Sequence, residues 1–311
     1  MLEMRESPEK GLGLFATRAI LRGERLIQEK ALISLTGYED FTPVWWKHLY
    51  LKFENLSPED QAKYLDLSYI PRQFLPVWDR MVEFLRSEGL SSEDLDAKFN
   101  FLIKLMSIWY VNNAEILLPN ELHGSGVFLT YTRINHSCVP NTNWNFDGGS
   151  MTMWVTAIQD IAEDEEITIS YTIAQLPHRT RAAQLEHYGF ECRCEACDGP
   201  DKEASNERRE RMVELDMLFE VYAGNVKIDD STLPADRRIK DHSAAAEFAS
   251  EYIDLLIAER LLGSELVRGY DRLKYYRILL GDHESALKAG LMAAEYRAMF
   301  LDPLPEHTSD C

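Results

Sequence analysis

The segment Tyr188-Gly-Phe-Glu-Cys-Arg-Cys-Glu-Ala-Cys197 places three cysteines close together and is the most informative stretch of the chain. A fourth cysteine, Cys138, lies upstream in Arg133-Ile-Asn-His-Ser-Cys-Val-Pro-Asn141. The chain of 311 residues has 5 cysteines, so these two segments hold nearly all of its thiols. Four thiolates are the ligand set of a tetrahedral structural zinc ion. If Cys138, Cys192, Cys194 and Cys197 share one Zn²⁺, two distant segments form a single site.

Two other readings of these cysteines are a redox pair and reduced thiols without a ligand. A Cys-x-x-Cys redox pair belongs near a βαβ pattern, whereas Asp198-Gly-Pro200 follows Cys197 and nothing apolar and helical comes next. Cys192 and Cys194 are also too close for an easy disulfide with each other. The triplet therefore favours structural zinc, and spacing alone supports Cys138 as the fourth ligand less strongly. Cys311 stands alone at the C-terminus.

Composition limits the classes of partner. Hydrophobic residues make up 45% of the chain and charged residues 27%, as in an ordinary globular protein. The net charge of −19 argues against a general affinity for nucleic-acid phosphates. It favours a basic partner such as a cationic peptide, although the need for solubility explains the charge equally well.

Targeting signals are not evident. The N-terminal segment is charged and lacks the apolar core of a signal peptide. No stretch is long and apolar enough to span a bilayer. We therefore expect a cytoplasmic or nuclear protein, in which thiols stay reduced and clustered cysteines bind metal or act in catalysis.

The pattern of apolar residues predicts strands, then helices, then strands, then helices. Short apolar runs indicate β structure over residues 11–35, and residues 40–112 are helical, with a capped helix start at Ser57-Pro58 and another helix from Ser92. Short strands return between Gly126 and Tyr171, including a hairpin around Asp147-Gly-Gly149.

The second half of the chain reads as helical. We predict a short helix over residues 178–187 and, beyond Pro200, further helices to about residue 301, the last of them over residues 284–299. The best candidate linkers are residues 198–206 and 224–242.

The segment Lys10-Gly-Leu-Gly-Leu-Phe-Ala16 fits a dinucleotide-binding fingerprint on its face. That fingerprint must follow a buried strand, and a charged N-terminus precedes it here. Two interpretations remain open: a loop whose glycines let the backbone approach a ligand closely, or a simple turn into a strand.

Several polar residues near Cys138 could carry chemistry. His136 is either a buried histidine satisfied by the backbone or part of a binding site, and Ser137 lacks the setting of a hydrolase nucleophile. The acids at residues 163–166 read most simply as a solvated turn. Tyr171, at the end of a predicted strand, is either a core residue or a hydroxyl held in a cleft.

Four segments in this order resemble a known family: Gly11-Leu-Gly13, Arg133–Asn141, Glu165-Glu-Ile-Thr-Ile-Ser-Tyr171 and Tyr188–Cys197. The chain resembles a SET-domain protein-lysine methyltransferase of the subgroup with a split SET domain and a MYND finger. It has no further cysteines to build that finger, and in this it is similar to MYND-less relatives common in fungi.

The resemblance implies an α+β fold: a β-rich SET domain of short strands with a pseudoknot, a helical insertion, a zinc-binding post-SET flap and a C-terminal all-helical region. Residues 1–38 and 116–185 would form the two parts of the SET domain. Residues 39–115 would be the insertion, 186–200 the zinc segment and 201–311 the helical domain.

The resemblance also implies residue roles around S-adenosylmethionine. Tyr171 would be the catalytic tyrosine and Tyr188 would wall the lysine channel. The cofactor would be bound by Lys10, Gly11, Gly13, Asn113, Asn135, His136 and Phe190, the last stacking on adenine. The structural zinc ion would be held by Cys138, Cys192, Cys194 and Cys197.

The expected substrate is a lysine side chain in a basic protein or peptide, for example a histone, and the expected protein is a monomer that binds neither nucleic acid nor membrane. A SET scaffold that binds a partner without turnover is the alternative. A nicotinamide-dependent oxidoreductase fits poorly, because the strand–helix context of the Gly11-Leu-Gly13 fingerprint is missing.

Overall fold

The computed structural model describes residues 1–8, 10–36, 44–71, 75–89, 91–119, 122–227 and 238–300. The strands are β1 (Leu2–Ser7), β2 (Gly11–Ala16), β3 (Arg25–Lys30), β4 (Ile33–Thr36), β5 (Asn113–Leu118), β6 (Leu122–Val127), β7 (Asn135–His136), β8 (Thr142–Asp147), β9 (Thr152–Ala157) and β10 (Thr168–Ile169). The helices are α1 (Trp45–Glu54), α2 (Pro58–Leu65), α3 (Leu75–Ser87), α4 (Ser92–Asn112), α5 (His178–Leu185), α6 (Glu195–Asp198), α7 (Lys202–Tyr222), α8 (His242–Ala258), α9 (Ser264–Leu279) and α10 (His283–Phe300). The predicted α+β order of strands, helices, strands and helices is confirmed.

The strands form small sheets rather than one large one. Antiparallel pairing joins β1 to β2, and three-stranded sheets have the orders β3-β9-β8 and β4-β6-β5. The predicted hairpin is confirmed, with Asp147 opposite Thr152. Its turn is closed by the Asp147 carboxylate, which accepts hydrogen bonds from two backbone N–H groups, those of Gly149 and Ser150.

The short parallel pair β7–β10 brings the quoted motifs together. Thr168 lies opposite Asn135 and Ile169 opposite His136. The N–H of Ile167 donates to the carbonyl of Leu14 at 2.7 Å, which attaches β10 to the β2 strand as well. Three segments far apart in sequence therefore meet at this pair. The threaded pseudoknot stays a prediction.

Helices α1 to α4 form a unit with its own core between β4 and β5. The predicted start at Ser57 is confirmed, because the Ser57 hydroxyl accepts a hydrogen bond from the N–H of Asp60 and Pro58 occupies the first turn. The aliphatic and aromatic side chains of α4 at Leu105, Ile108 and Trp109 are buried in this core, as expected.

The C-terminal helices pack on one another and on the strands. Adjacent helices pack in sequence order, and their shared core includes Ile158 from the strand region. The prediction of a linker over residues 198–206 is wrong, because α7 begins at Lys202. Gly199 and Pro200 do interrupt the chain, but only for a turn between α6 and α7. Most of the predicted linker 224–242 lies outside the described residues.

Within the described residues, no helix is both long enough and apolar enough to cross a membrane.

Candidate active site and cysteine cluster

The four predicted cysteine ligands lie together in one cluster. The Sγ atoms of Cys138, Cys192, Cys194 and Cys197 all lie within 4.8 Å of one another. Cys138 comes from the loop after β7, and the other three come from the segment around α6. The fold thus brings together two cysteines, Cys138 and Cys192, that lie 54 positions apart in the sequence.

The spacing of the sulfur atoms fits one tetrahedral ion. Cys138 Sγ lies 3.6 Å from Cys197 Sγ and 4.0 Å from Cys192 Sγ. A zinc–sulfur distance of about 2.3 Å places sulfurs about 3.8 Å apart at the corners of a tetrahedron. A disulfide would need about 2.05 Å. The donor set therefore fits Zn²⁺ and does not fit a disulfide.

Contacts among the four thiols raise the pKa of some and lower the pKa of others. Hydrogen bonds with the other three cysteines raise the pKa of Cys138 and lower the pKa of Cys194. The pKa of Cys197 is lowered to about 7, first by its hydrogen bond with Cys138. A metal ion binds the thiolate form of cysteine, and a lowered pKa makes that form easier to reach.

A cavity of about 370 Å³ lies next to this cluster. Its lining residues come from four separate segments: Pro8, Lys10, Asn135, His136, Tyr171, Tyr188, Phe190, Glu191, Cys192, Arg193 and Cys194. Two larger cavities differ in their lining: the one of about 390 Å³ is lined by Ser170 and Thr172 but not by Tyr171, and the one of about 560 Å³ lies between α5, α6 and α7. The cavity at Tyr171 is the one that combines aromatic walls with converging polar groups, as binding sites for small molecules do.

Tyr171 is held at the inner end of a group of aromatic rings. Its hydroxyl donates a hydrogen bond to the carbonyl of Ile134 at 2.6 Å. Its ring centroid lies 4.8 Å from that of Tyr188 and 6.4 Å from that of Phe190. Burial, followed by the neighbouring Tyr188, raises the pKa of Tyr171 well above its ordinary value. The phenol therefore stays protonated at neutral pH and cannot serve as a strong base.

His136 is a buried imidazole that fixes the backbone of Tyr171. Its Nδ1 accepts a hydrogen bond from the N–H of Tyr171 at 2.9 Å, and its Nε2 lies 3.2 Å from Cys138 Sγ. Burial lowers the pKa of His136 to about 4. The neutral ring thus connects the tyrosine to the cysteine cluster.

Gly13, in β2, lies against a polar network that includes Glu166. The Glu166 carboxylate forms an ion pair with Lys10 at 2.8 Å and accepts a hydrogen bond from the Asn135 amide at 2.8 Å. A Cβ atom at Gly13 would lie 2.6 Å from Glu166 Oε1 and 2.7 Å from Asn135 Nδ2. The second glycine is therefore required for close approach. Gly11 and Gly13 belong to β2 itself, which pairs antiparallel with β1, so they do not open a helix and the strand–helix context of a dinucleotide fingerprint is absent.

Most of the predicted site residues converge. Six of the nine noncysteine residues line the cavity: Lys10, Asn135, His136, Tyr171, Tyr188 and Phe190. Gly11 and Gly13 lie in the adjacent strand β2, opposite Ser7 and Arg5 of β1. Asn113 does not line the cavity; its side-chain amide donates to the carbonyl of Trp109 at 2.8 Å and so caps the end of α4.

Sequence reasoning missed two structural partners of this site. Glu166 was expected to be part of a solvated turn, but its side chain is only 17% exposed. Asn141 is buried and bridges strands, because its amide donates to the carbonyl of Glu166 at 2.8 Å and its oxygen accepts from the N–H of Thr168 at 2.8 Å. An acid that directly precedes a buried apolar run, and an asparagine that follows a proline, were the available signals.

Comparison with known proteins identifies similar sequences. The family described as "SET domain" matches residues 11–172. A SET and MYND domain-containing protein of Dictyostelium discoideum is 34% identical over 133 residues, covering 38% of this chain and 38% of that protein. The protein-lysine N-trimethyltransferase SMYD5 of Gallus gallus is 32% identical over 150 residues, covering 46% of this chain and 34% of that protein.

This chain spans about a third of the length of the curated relatives that it matches, with 38% and 34% of the first two covered. Among solved structures, the SET domain of LSMT bound to lysine and AdoHcy aligns over 96% of this chain and 86% of that chain, with 12% identity and a TM-score of 0.35.

Proposed function

Because this chain belongs to the SET-domain family, we propose that it transfers a methyl group from S-adenosylmethionine to the side-chain amine of a lysine in a protein. The observation that carries the proposal is the cavity in which Tyr171 and Tyr188 meet the Lys10 loop beside four clustered cysteines. The relatives named as protein-lysine methyltransferases support the same reaction.

The aromatic walls would prepare the substrate amine. A lysine ammonium has a pKa of about 10.4 in water, and only the neutral amine can attack a methyl group. The rings of Tyr171 and Tyr188 would remove water from the ammonium and so lower its pKa. A bound S-adenosylmethionine supplies an activated methyl group and a positive sulfonium, whose repulsion lowers the same pKa further.

The Tyr171 hydroxyl would align the reacting groups. Its hydrogen is committed to the Ile134 carbonyl, so its oxygen is left to accept a hydrogen bond from the substrate amine. Since burial keeps the phenol protonated, the proton of the substrate ammonium leaves to water before attack. Catalysis by Tyr171 is then mainly a matter of position, which can contribute several kcal/mol.

The cofactor would be bound by the residues around the cavity. We propose that Lys10, Gly11, Gly13 and Asn135 hold the amino-acid end, that the backbone of Asn135 and His136 meets the adenine edge, and that Phe190 stacks on adenine. Phe190 is 36% exposed and lines the cavity, which places its ring where such stacking would occur. A contact with Asn113 stays part of the proposal, although its side chain caps α4 in this structure.

The cysteine cluster would hold one structural Zn²⁺. Its four sulfurs leave no open position for substrate, so the ion would fix the flap that carries Phe190 and Glu191 rather than take part in the reaction. The domain division given above, with the zinc segment at residues 186–200, belongs to the same proposal.

The substrate protein is expected to be basic. A net charge of −19 attracts cationic partners such as histone tails and repels nucleic acid. We propose a monomer acting in the cytoplasm or nucleus, where reduced thiols remain available to bind zinc.

The direct test is methyl transfer with labelled cofactor to purified histones and to a cell lysate, preceded by a cofactor titration in a calorimeter. The Tyr171→Phe variant should lose at least about tenfold in turnover, which is about 1.4 kcal/mol of transition-state stabilisation, and should bind cofactor normally. Tyr275→Phe, at an exposed position on α9, is the matched control. Failure of the wild-type protein to bind cofactor would leave a partner-binding SET scaffold as the better reading.

A further inference from the structure

Two buried arginines flank the cysteine cluster. Arg181 is 1% exposed and Arg209 is 0% exposed. Arg181 lies on α5, beside the flap, and Arg209 lies on α7, in the C-terminal helices. A buried charge costs several kcal/mol unless an opposite charge compensates it. These two cations therefore need anionic partners.

Arg209 joins the C-terminal helices to the loop of the first cysteine. Its Nη2 donates to the carbonyl of Cys138 at 3.1 Å, and its Nη1 donates to the carbonyl of Ala174, three positions after Tyr171. On the other side, its guanidinium forms an ion pair with Glu259 at 2.8 Å. One side chain thus contacts the metal-site loop, the segment after Tyr171 and the end of α8.

Glu259 is shared between two arginines. Its carboxylate also forms an ion pair with Arg208 at 2.5 Å and accepts a hydrogen bond from the Ser205 hydroxyl at 2.6 Å. One carboxylate cannot neutralise both Arg208 and Arg209. The group therefore has a net charge of +1 next to the Cys138 loop, shared with Arg208, whose side chain is 33% exposed to water.

Arg181 has no carboxylate partner within the described part of the chain. It donates to the carbonyl of Leu176 and lies 3.7 Å from the sulfur of Cys197, while its Nε has no hydrogen-bond partner. When the cluster holds zinc as a tetrathiolate, the Cys197 sulfur is therefore the anionic group that Arg181 contacts.

The positive charge around the buried arginines equals the negative charge of a zinc-loaded cysteine cluster. Four thiolates around one Zn²⁺ leave two units of negative charge, and Arg181 together with the Arg208–Glu259–Arg209 group supplies two units of positive charge. We infer that Arg181 and Arg209 are positioning residues that neutralise the zinc–thiolate centre, and that through Arg209 the C-terminal helices set the zinc affinity of the SET domain. This inference rests on the zinc ion of the proposed function and does not depend on methyl transfer.

The test measures zinc affinity in purified full-length protein. Zn²⁺ is titrated against a chromophoric chelator for the wild type, Arg209→Met, Arg181→Met and the control Arg211→Met. Arg211 lies on the same helix as Arg209, and its ion pairs are with Glu214 and Glu251 instead. Removing a group that supports metal ligands typically costs 10- to 100-fold in affinity, so a loss of about that size is expected for the first two variants alone.

A double variant separates the direct contact of Arg209 from folding, because it leaves the net charge of the Arg208–Glu259–Arg209 group unchanged. Arg209→Met leaves Glu259 buried with a single partner and can destabilise the helices for that reason alone. Arg209→Met/Glu259→Gln removes both charges, so its helix content and urea midpoint should recover towards those of the wild type. Its zinc affinity should remain lower than that of the wild type, because the donor to the Cys138 carbonyl is still missing. This variant also supplies the measurement if Arg209→Met does not fold.

The outcomes distinguish this inference from the proposed function. Wild-type protein without stoichiometric zinc after purification would overturn both the zinc assignment and the arginine assignment. Wild-type protein that binds zinc, with arginine variants that bind it equally tightly or no more weakly than Arg211→Met, would overturn the arginine assignment alone. Full recovery of zinc affinity in the folded double variant would do the same.

Discussion

Replacing Gly13 with alanine is expected to weaken cofactor binding while leaving the fold intact. The added methyl group would lie 2.6 Å from Glu166 Oε1 and 2.7 Å from Asn135 Nδ2. Both atoms are the ends of side chains, so they can move away and the backbone need not. Their movement would break the 2.8 Å hydrogen bond between Asn135 and Glu166.

The size of the effect follows from the bond that is lost. A hydrogen bond to a charged group contributes about 1.5–3 kcal/mol. Because the neighbouring Lys10 side chain is 40% exposed and solvent can replace part of the interaction, we take the lower end of that range. Restoring the Asn135 and Glu166 geometry when the cofactor binds would then cost about 1.5 kcal/mol, which corresponds to roughly tenfold weaker binding.

Calorimetric titration of S-adenosylmethionine into the wild type and Gly13→Ala measures this effect. Gly281→Ala is the control, because Gly281 has φ of +73° with no atom within 4 Å of an added Cβ and lies in the turn between α9 and α10. The control should lose roughly 1–2 kcal/mol of stability from the left-handed backbone and keep its affinity. A folded Gly13→Ala protein that binds within twofold of the wild type would refute the reasoning.

Three further outcomes are expected. Hydrogen bonds from Lys10, Asn135 and Ser7 overcome the effect of burial and hold the pKa of Glu166 below its ordinary value, so its stabilising contribution is present above the unfolded pKa of about 4.3 and is lost as pH falls through the folded pKa. The difference between the urea midpoints of the wild type and Glu166→Gln should therefore be full at pH 7 and shrink as pH falls below about 4.3; a constant difference would contradict this. Removal of zinc with a chelator should abolish cofactor binding and re-addition should restore it, as followed by calorimetry; unchanged binding would show that the flap does not need the ion. Tyr64→Phe should cost about 1 kcal/mol in urea unfolding, because its buried hydroxyl donates to the carbonyl of Leu105 at 3.0 Å, and a cost near zero would show that this bond contributes nothing.

The cysteine cluster could be predicted from sequence because its chemistry is specific. Few residue types bind zinc, and nearly all the thiols of this chain lie in two short segments. The helix starts at Ser57 and near Ser92 were predictable for a similar reason, since a capping hydroxyl acts within a single turn. Local rules suffice when the partners are close in sequence.

Interactions between distant segments were harder to predict. Glu166 stands among four consecutive acids, and only the bridge between Phe15 and Glu166 turns its side chain towards Lys10 and away from water. The strand β1 was missed because only Ser7 of its six residues is buried, so its apolar pattern is weak. Such pairings depend on tertiary register, which no local pattern specifies.

The start of α7 was missed because a polar segment after Gly199 and Pro200 resembles a linker. The helix begins at Lys202 and carries Arg209, which is buried against the Cys138 loop and the segment after Tyr171. A charged residue is read as exposed by default, and only the contacts with Cys138 and Glu259 show why this one is not.

The distance between the cysteines also governs how the protein can fold during synthesis. Cys138 precedes Cys192 by 54 positions and Arg209 by 71, so at about 5–20 residues per second a ribosome needs roughly 3 to 11 s to produce the second thiol. During that interval the nascent chain carries an unligated cysteine beside a half-made cavity. The zinc site can therefore be completed only after the flap and α7 have been translated. In a chain released before that point, the Cys138 thiol would have no ligand partners and would be exposed to oxidation.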